Sequence, residues 1–576
     1  MALNLLRASA VRSARLGGTV PVRISPARSY ATAHVQPKPS SNTPWFIGSL
    51  IVFGPLLFKL TSPPPKKAKP AVEHVAEPSA AAPEQPATAT AVPESPKIQK
   101  PYVLIGAGTA SFAAAQAIKE KEPNANVIII GDEGYAPYMR PPLSKELWFS
   151  EDPNVANTLV FKDWQGTGRN TIYQDISEYE LITDASGSDL QTSKIKLLLN
   201  NKVARLNVED HTVTLADGSV IYYNKVLLAT GGEPKLLPQA ANVANVSTYR
   251  TIEDFKKLDK IAKNGAHIAV VGGGFLGSEL AVALAKRAEK ENIKVTQVFP
   301  EEGNMANVFP SYLTKWTTSR VKKLGVDVKT NSKIKSVTAG EDNKVILALD
   351  NDETLPVDHV IVAIGIEPRV DLAREAGLEI DEKRAGVVVN AELEARTDVF
   401  AAGDMVSFHD VQLGRRRIEH HDHAVLSGRH AGENMVGAAK PYKHQSMFWS
   451  DLGPEIGYEA IGLVDSQLST VSVWAKATAQ DTPAASAGAE AESPRAAPGA
   501  STTGEVAKAV AAKAPFQDEK FGKGLVFYVR DKKIVGLLLF NVFGKVQEAR
   551  SIIDAGYTSD KIDSLLKRFD LHDDSH

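Results

Sequence analysis

Two short runs hold the residues whose types and spacing most clearly imply chemistry. In "YVLIGAGTASFAAAQAIKEKEPNANVIIIGDE", Gly106, Ala107, Gly108, Thr109 and Ala110 follow an apolar run and open a helical one; in "HIAVVGGGFLGSELAVALAKRA", Gly272, Gly273, Gly274, Phe275, Leu276 and Gly277 do the same. Glycines at this spacing allow a tight turn and close backbone approach to a pyrophosphate, which then faces the N–H groups opening the helix. Ser111 stands at the third glycine position of the first run and is small enough to keep helix and strand close. Acidic residues end each second strand: Asp132 and Glu133 in the first unit, Glu301 or Glu302 after "KVTQVFP" in the second. A carboxylate there takes ribose hydroxyls, and an acid rather than an arginine in the second unit favours NAD over NADP.

Each run reads as strand, glycine turn, helix, strand. The second begins far into the chain, so its position needs an explanation. "KVLLATGGEP", residues 225–234, closes the first unit, and "TDVFAAGDMV", residues 397–406, reads as a buried strand ending in Gly403 and Asp404. The arrangement resembles that of the two-dinucleotide-binding flavoproteins, and the resemblance implies that the second unit is an insertion into the first. The expected fold class is α/β: a Rossmann-like dinucleotide domain over 100–232 and 366–446, interrupted by a second over 233–365, with an α+β domain over 447–576. Within that last domain, "STVSVWAKA" and "GLVFYVRDKKIVGLLLFN" alternate as strands, whereas residues 480–515 are rich in Ala, Pro, Ser, Thr and Gly and read as a disordered insertion.

The chain has 576 residues, enough for about three domains of ordinary size. It has no cysteine, which excludes dithiol redox chemistry, thiolate zinc sites and disulfides, so redox work falls to a bound cofactor. The net charge of −2 conceals an asymmetry. Residues 1–72 hold ten Lys or Arg and no acid, leaving 56 basic against 68 acidic side chains in the remainder, a net of −12. Residues 1–36, Arg-rich and acid-free, have the composition of a mitochondrial presequence. "WFIGSLIVFGPLLF", within 44–60, reads as a short membrane anchor with Trp45 and Lys59 at its ends, or as a second sorting signal that is removed. Residues 61–99 are Pro- and Ala-rich and form an extended linker.

Glu419, His420, His421, Asp422 and His423 have the residue types of a zinc site. Adjacent residues point in different directions and the preceding "GRRR" repels a cation, so no metal is expected. Arg140 and Lys145, in "PYMRPPLSKELW", lie just past the first ribose contact, where they reach toward the middle of an extended cofactor.

The order of these units resembles the two-dinucleotide-binding flavoproteins, whose FAD domain is interrupted by an NAD domain. Beyond that, "PYMRPPLSKELW", "GGGFLGSELA", "LGRRRIEHHDHAV" and "HQSMFWSDLGPEIGYEAIGLVDS" resemble the apoptosis-inducing factor family of mitochondrial flavoproteins, from about residue 100 to 479 and again from about 516. The resemblance implies FAD and NAD as cofactors. It implies that Arg140, Lys145, Val203, Arg250, His420 and His421 contact FAD, beside the strand-end contact read at Asp404, and that Lys145 pairs with Glu279 near the flavin N5. Phe275 would stack on the nicotinamide, Glu419 would touch nicotinamide-side groups, and Trp449 would close the adenine side. Gly365, Glu459 and Asn541 would complete the NAD contacts. The chain departs from the family at Asn307, where a lysine would meet a phosphate or ribose, and at Gln412, a lysine in the family's nuclear-import segment.

The activity so implied is NADH oxidation by a tethered FAD protein of the inner membrane facing the intermembrane space. On reduction a charge-transfer complex and a homodimer would form, and residues 480–515 would act as a regulatory peptide. Implied partners are an intermembrane-space import oxidoreductase serving respiratory-chain assembly and, after release in caspase-independent cell death, DNA. The other reading is a reductase passing NADH electrons to a dedicated small acceptor such as a ferredoxin or quinone.

Overall fold

A computed structural model of the chain describes residues 100–163, 166–184, 188, 193–477, 481, 521–569 and 571. The presequence, anchor and linker readings, and nearly all of the 480–515 insertion, lie outside them. Among the described residues no helix is long and apolar enough to cross a membrane.

The first sheet has seven strands in the order Glu394–Arg396, Val399–Ala401, Lys225–Leu228, Tyr102–Ile105, Val127–Ile130, Lys196–Leu198, Glu180–Leu181. Its middle is parallel, with Tyr102 opposite both Lys225 and Val127, and Ile105 opposite Leu228 and Ile130. "YVLI" and "VIII" are apolar throughout because a central parallel strand is covered on both faces. One cover is the helix Thr109–Lys121, against which the helix His421–Met435 packs. The two lie so close that a Cβ on Gly428 would sit 2.2 Å from the Ala110 carbonyl oxygen.

A second sheet, of five parallel strands, runs Val246–Thr248, His359–Val362, His267–Val271, Lys294–Val298, Asp327–Lys329, and the helix Phe275–Glu291 follows its central strand. The chain leaves the first sheet through Gly232–Pro234 and returns through Ile366–Pro368, and these two strands pair antiparallel. The third part is an antiparallel sheet, Met447–Leu452, Ile456–Gly462, Lys533–Phe540, Lys523–Arg530, Ser469–Ala475, covered by the helix Val546–Asp554. The architecture is the expected one: an α/β dinucleotide fold interrupted by a second, followed by an α+β domain.

Candidate functional site

Both glycine turns sit at the carboxyl edge of a parallel sheet, and both are built for an anion. Gly106 has φ +108° and Gly272 φ +128°, conformations that side chains rarely adopt. The helices they feed begin at Gly108 and Gly274 with no side chain capping either N-terminus. Their first N–H groups are thus left for a ligand, and the helix dipole favours a negative one. A Cβ added at Gly108, Gly274 or Gly365 would meet nothing within 4 Å, so these turns border open space rather than protein. The residues fit two dinucleotides.

One cavity gathers most of the candidates around the first turn: Gly106, Ala107, Gly108, Thr109, Ala110, Asp132, Glu133, Arg140, Arg250, Leu276, Asp404, Glu419, His420 and His421. Val203 lines an adjoining space that also contains Asp132 and Gly106. The charged members are mutually paired: Glu133 with Arg140 at 2.8 Å, Arg250 with Asp404 at 3.1 Å, and Asp132 with Arg369 at 3.1 Å. Tyr138 donates to Glu133 at 2.6 Å. Burial works against ionisation of Glu133, but the Arg140 guanidinium overcomes it and holds the carboxyl below its ordinary range.

His420 and His421, which line this cavity, are backed by a wall of aromatic rings that stand outside its lining. His420 stacks on Phe448 at 4.5 Å between centroids, Phe275 meets Phe448 edge-on at 5.0 Å, and His421 meets Trp449 edge-on at 5.7 Å. Burial pushes both imidazoles down to about 4, so both are neutral near pH 7. The remainder of the "EHHDH" run diverges. Glu419 pairs with Arg417 at 2.6 Å, Asp422 with His444 at 3.2 Å, and His423 turns inward to Tyr442 and Ser446. Among the described residues no three candidate ligands converge on a metal position.

Lys145 and Glu279 meet at 3.3 Å, with 4% and 7% of their side chains exposed. The carboxylate also accepts from Ser144 Oγ and Ser450 Oγ, each at 2.6 Å. Three donors from two other parts of the fold thus converge on one acid of the inserted module. Burial favours loss of the Lys145 proton, yet Glu279, Glu146 and Asp451 hold its pKa above the ordinary value. Neither Lys145 nor Glu279 lines the cavity; Ser144 does, and it links them to it.

Glu146, next in the chain, has one carboxylate oxygen buried without a hydrogen-bond partner. Burial pushes its pKa up from 4.5 to about 7. Between those values the folded chain holds a proton that the unfolded chain releases, so stability falls as pH rises through the window. Glu146→Gln should therefore stabilise the protein at pH 8 by on the order of 1–3 kcal/mol and flatten stability between about pH 4.5 and 7. Urea unfolding of both proteins at pH 5 and 8 measures this; a loss of stability at pH 8 would show that the fold stabilises the Glu146 carboxylate rather than penalising it.

Other candidates are placed apart from the first cavity. Phe275, Gly273 and Gly274 belong to the second turn, and Gly365 lies exposed just after the strand His359–Val362. Glu301 is partly exposed at the second acidic position. Glu459 is buried opposite Trp449 in strand register. Asn541 is fully buried, with its amide accepting from Gly457 N–H at 2.9 Å and donating to the Gly522 carbonyl at 3.0 Å. Its polar atoms brace the C-terminal sheet. Asn307 is exposed. Sequence reasoning passed over Ser144, Ser450 and Arg369, and over Tyr249, Thr251 and Gly231 in the first cavity. Ser144, Ser450 and Thr251 each adjoin a candidate, Lys145, Trp449 and Arg250, and Gly231 lies in the run that closes the first unit.

The two turns, the open space beside them and the ring wall define an FAD-dependent NAD(P)H oxidoreductase. Comparisons with known proteins agree. The pyridine nucleotide-disulphide oxidoreductase family matches residues 100–428, and the C-terminal domain of mitochondrion-associated apoptosis-inducing factor matches 431–555. A Drosophila melanogaster protein described as putative apoptosis-inducing factor 1, mitochondrial, is 43% identical over 84% of this chain and 67% of its own length. Apoptosis-inducing factor 1, mitochondrial, of Dictyostelium discoideum is 39% identical over 82% of each chain. The chain belongs to the pyridine nucleotide-disulphide oxidoreductase family and, within it, to the apoptosis-inducing factors. It has no cysteine for the disulphide half of the family's chemistry. The fold is shared with the ferredoxin reductase of the CYP199A2 system of Rhodopseudomonas palustris, at TM-score 0.61 and 24% identity over 82% of this chain and 97% of that one. It is shared equally with a putidaredoxin reductase–putidaredoxin complex, at 0.62 and 21% over 82% and 99%.

Proposed function

We propose that the protein oxidises NADH and works as a mitochondrial redox sensor. The second turn would hold NADH and the first FAD, with the ring wall between them. Bound FAD supplies the acceptor for the nicotinamide hydride. Phe275 orients the nicotinamide, while neutral His420 and His421 keep that wall free of charge that would oppose the positive product ring. Lys145 holds positive charge where the reduced flavin becomes negative, and Glu279 holds Lys145. Arg140, Val203, Arg250 and Asp404 bind FAD, and Glu301, Gly365, Glu419, Trp449, Glu459 and Asn541 complete the NAD site.

The observation that carries the sensor reading is the Glu279 carboxylate, which accepts from Lys145 and Ser144 beside the flavin site and from Ser450 in the C-terminal sheet. A change of charge at the flavin is thereby felt in the strand Met447–Leu452. Homodimer formation on reduction, docking of an import oxidoreductase for respiratory-chain assembly, inner-membrane tethering and a cell-death role after release complete the proposal. DNA binding rests on residues 415–417 and gains little there, since Arg416 and Arg417 are already paired with Asp410 and Glu419.

Anaerobic titration of the full chain with NADH, followed by flavin absorbance and light scattering, tests this. The expected result is a persistent long-wavelength band with doubling of mass. Rapid reoxidation by a ferredoxin or quinone with unchanged mass would establish the ordinary reductase instead.

A further inference from the structure

Beside the dinucleotide cavity, and sharing Ile366 and Arg369 with it, lies a second concavity of about 1150 Å³. Nine Lys or Arg side chains and three acids line it. Six of the nine have a carboxylate within 4.0 Å. The other three, Lys383, Arg415 and Arg530, have no acidic partner among the described residues, and the one hydrogen bond of the Arg415 guanidinium goes to the Ser407 carbonyl at 2.8 Å. They come from three separate segments: the turn after Asp381, the hairpin strand Gly414–Arg416 and the end of the strand Lys523–Arg530.

The excess is not a property of the whole surface. Residues 73–576 carry a net charge of −12, so three unneutralised cations on one concave wall stand out against the background. Concave walls of low dielectric focus such a field. Arg416 beside them has its pKa lowered chiefly by burial and, to a smaller degree, by the Arg530 charge, against the pull of Asp410.

We infer that this groove is a binding site for a compact oligophosphate anion, bound through Lys383, Arg415 and Arg530. Three positive groups call for a ligand with at least three negative charges in a short span, which a triphosphate provides and a single carboxylate does not. Arginine forks donate bidentately to its oxygens. The volume accommodates a nucleoside triphosphate as readily as an inorganic chain. The shared chemistry is the triphosphate.

The probe is inorganic tripolyphosphate, titrated calorimetrically into the full-length, FAD-loaded, oxidised protein, where binding does not depend on NADH chemistry. One saturable site is expected. The triple variant Lys383→Glu, Arg415→Gln, Arg530→Glu should weaken binding by about tenfold or more. A triple reversal of exposed residues elsewhere, Lys260→Glu, Lys322→Glu, Lys323→Glu, which changes net charge at least as much, should leave it within about twofold if the site is local. Bound flavin absorbance verifies folding of each variant, and Lys383→Glu alone, at an exposed position, covers the case in which the triple fails. ATP displacing the probe with equal stoichiometry indicates a nucleotide source; displacement only by longer inorganic chains indicates polyphosphate. The inference fails if binding is not saturable, if both triples weaken it equally, or if duplex DNA occupies the groove and tripolyphosphate does not compete.

Discussion

Gly272→Ala is expected to leave a yellow, FAD-loaded protein that NADH no longer reduces at a useful rate. A Cβ on Gly272 would lie 2.2 Å from the Ala363 carbonyl oxygen, and the residue holds φ +128°. The obstacle is backbone just past the end of the neighbouring strand His359–Val362, so no side-chain rotation relieves it. The turn must shift, and with it the N–H groups that open the helix Phe275–Glu291. A displacement of about 1 Å at a positioning element costs on the order of a hundredfold in rate. Gly106 is the control, because its Cβ would lie 2.3 Å from the Ala229 carbonyl oxygen at the first turn. Gly106→Ala should instead yield colourless protein. Flavin absorbance after purification and the anaerobic bleaching rate with NADH separate the two. Normal bleaching of Gly272→Ala would remove the second turn from the nucleotide site.

The second large effect is expected at Glu279. Glu279→Ala strands the Lys145 ammonium in a buried setting and removes the acceptor of two serine hydroxyls. Breaking a buried pair from one side costs about 3–5 kcal/mol of stability. Lys145→Ala should slow flavin reduction by about 10²–10³-fold, the range for loss of one preorganised electrostatic contact. Because the two residues share one interaction, the double variant should lose less than the sum. Glu279→Gln sharpens the test: its amide oxygen still accepts from Ser144 or Ser450, so most packing survives while the charge is lost. Denaturant unfolding and the anaerobic bleaching rate are the measurements. Strict additivity, or an unchanged rate in Lys145→Ala that retains FAD, would separate these residues from the chemistry.

The parts of this site that were legible in the sequence are those whose chemistry is local. A strand, a glycine turn and a helix fit within about thirty residues, so both turns and their acids could be read directly. The Lys145–Glu279 meeting came from family resemblance, since no local rule joins residues 134 apart. The partners of Ser450 and Arg369 were not legible. Ser450 reaches Glu279 across 171 residues and Arg369 reaches Asp132 across 237, and no local rule names either partner, even for Ser450 beside Trp449 in a family motif. The same limit explains the basic run at 415–417: sequence shows three like charges, while the fold supplies Asp410 and Glu419 to two of them. Family resemblance implies a ligand contact at Asn541, while the sequence gives no sign that its amide also ties Gly457 to Gly522.

The pairing of Gly232–Pro234 with Ile366–Pro368 also bears on modularity. Residues opposite one another in an antiparallel pair lie only about 5 Å apart, so the inserted fold leaves and re-enters its host at nearly one point. It is a plug-in unit: a turn of a few residues could close the gap, and a foreign nucleotide module could be grafted there without shifting the register of the seven-stranded sheet. What such a graft must reproduce is one acid. A replacement lacking a carboxylate at the position of Glu279 would fit the socket and still leave the Lys145 charge unanswered inside the host.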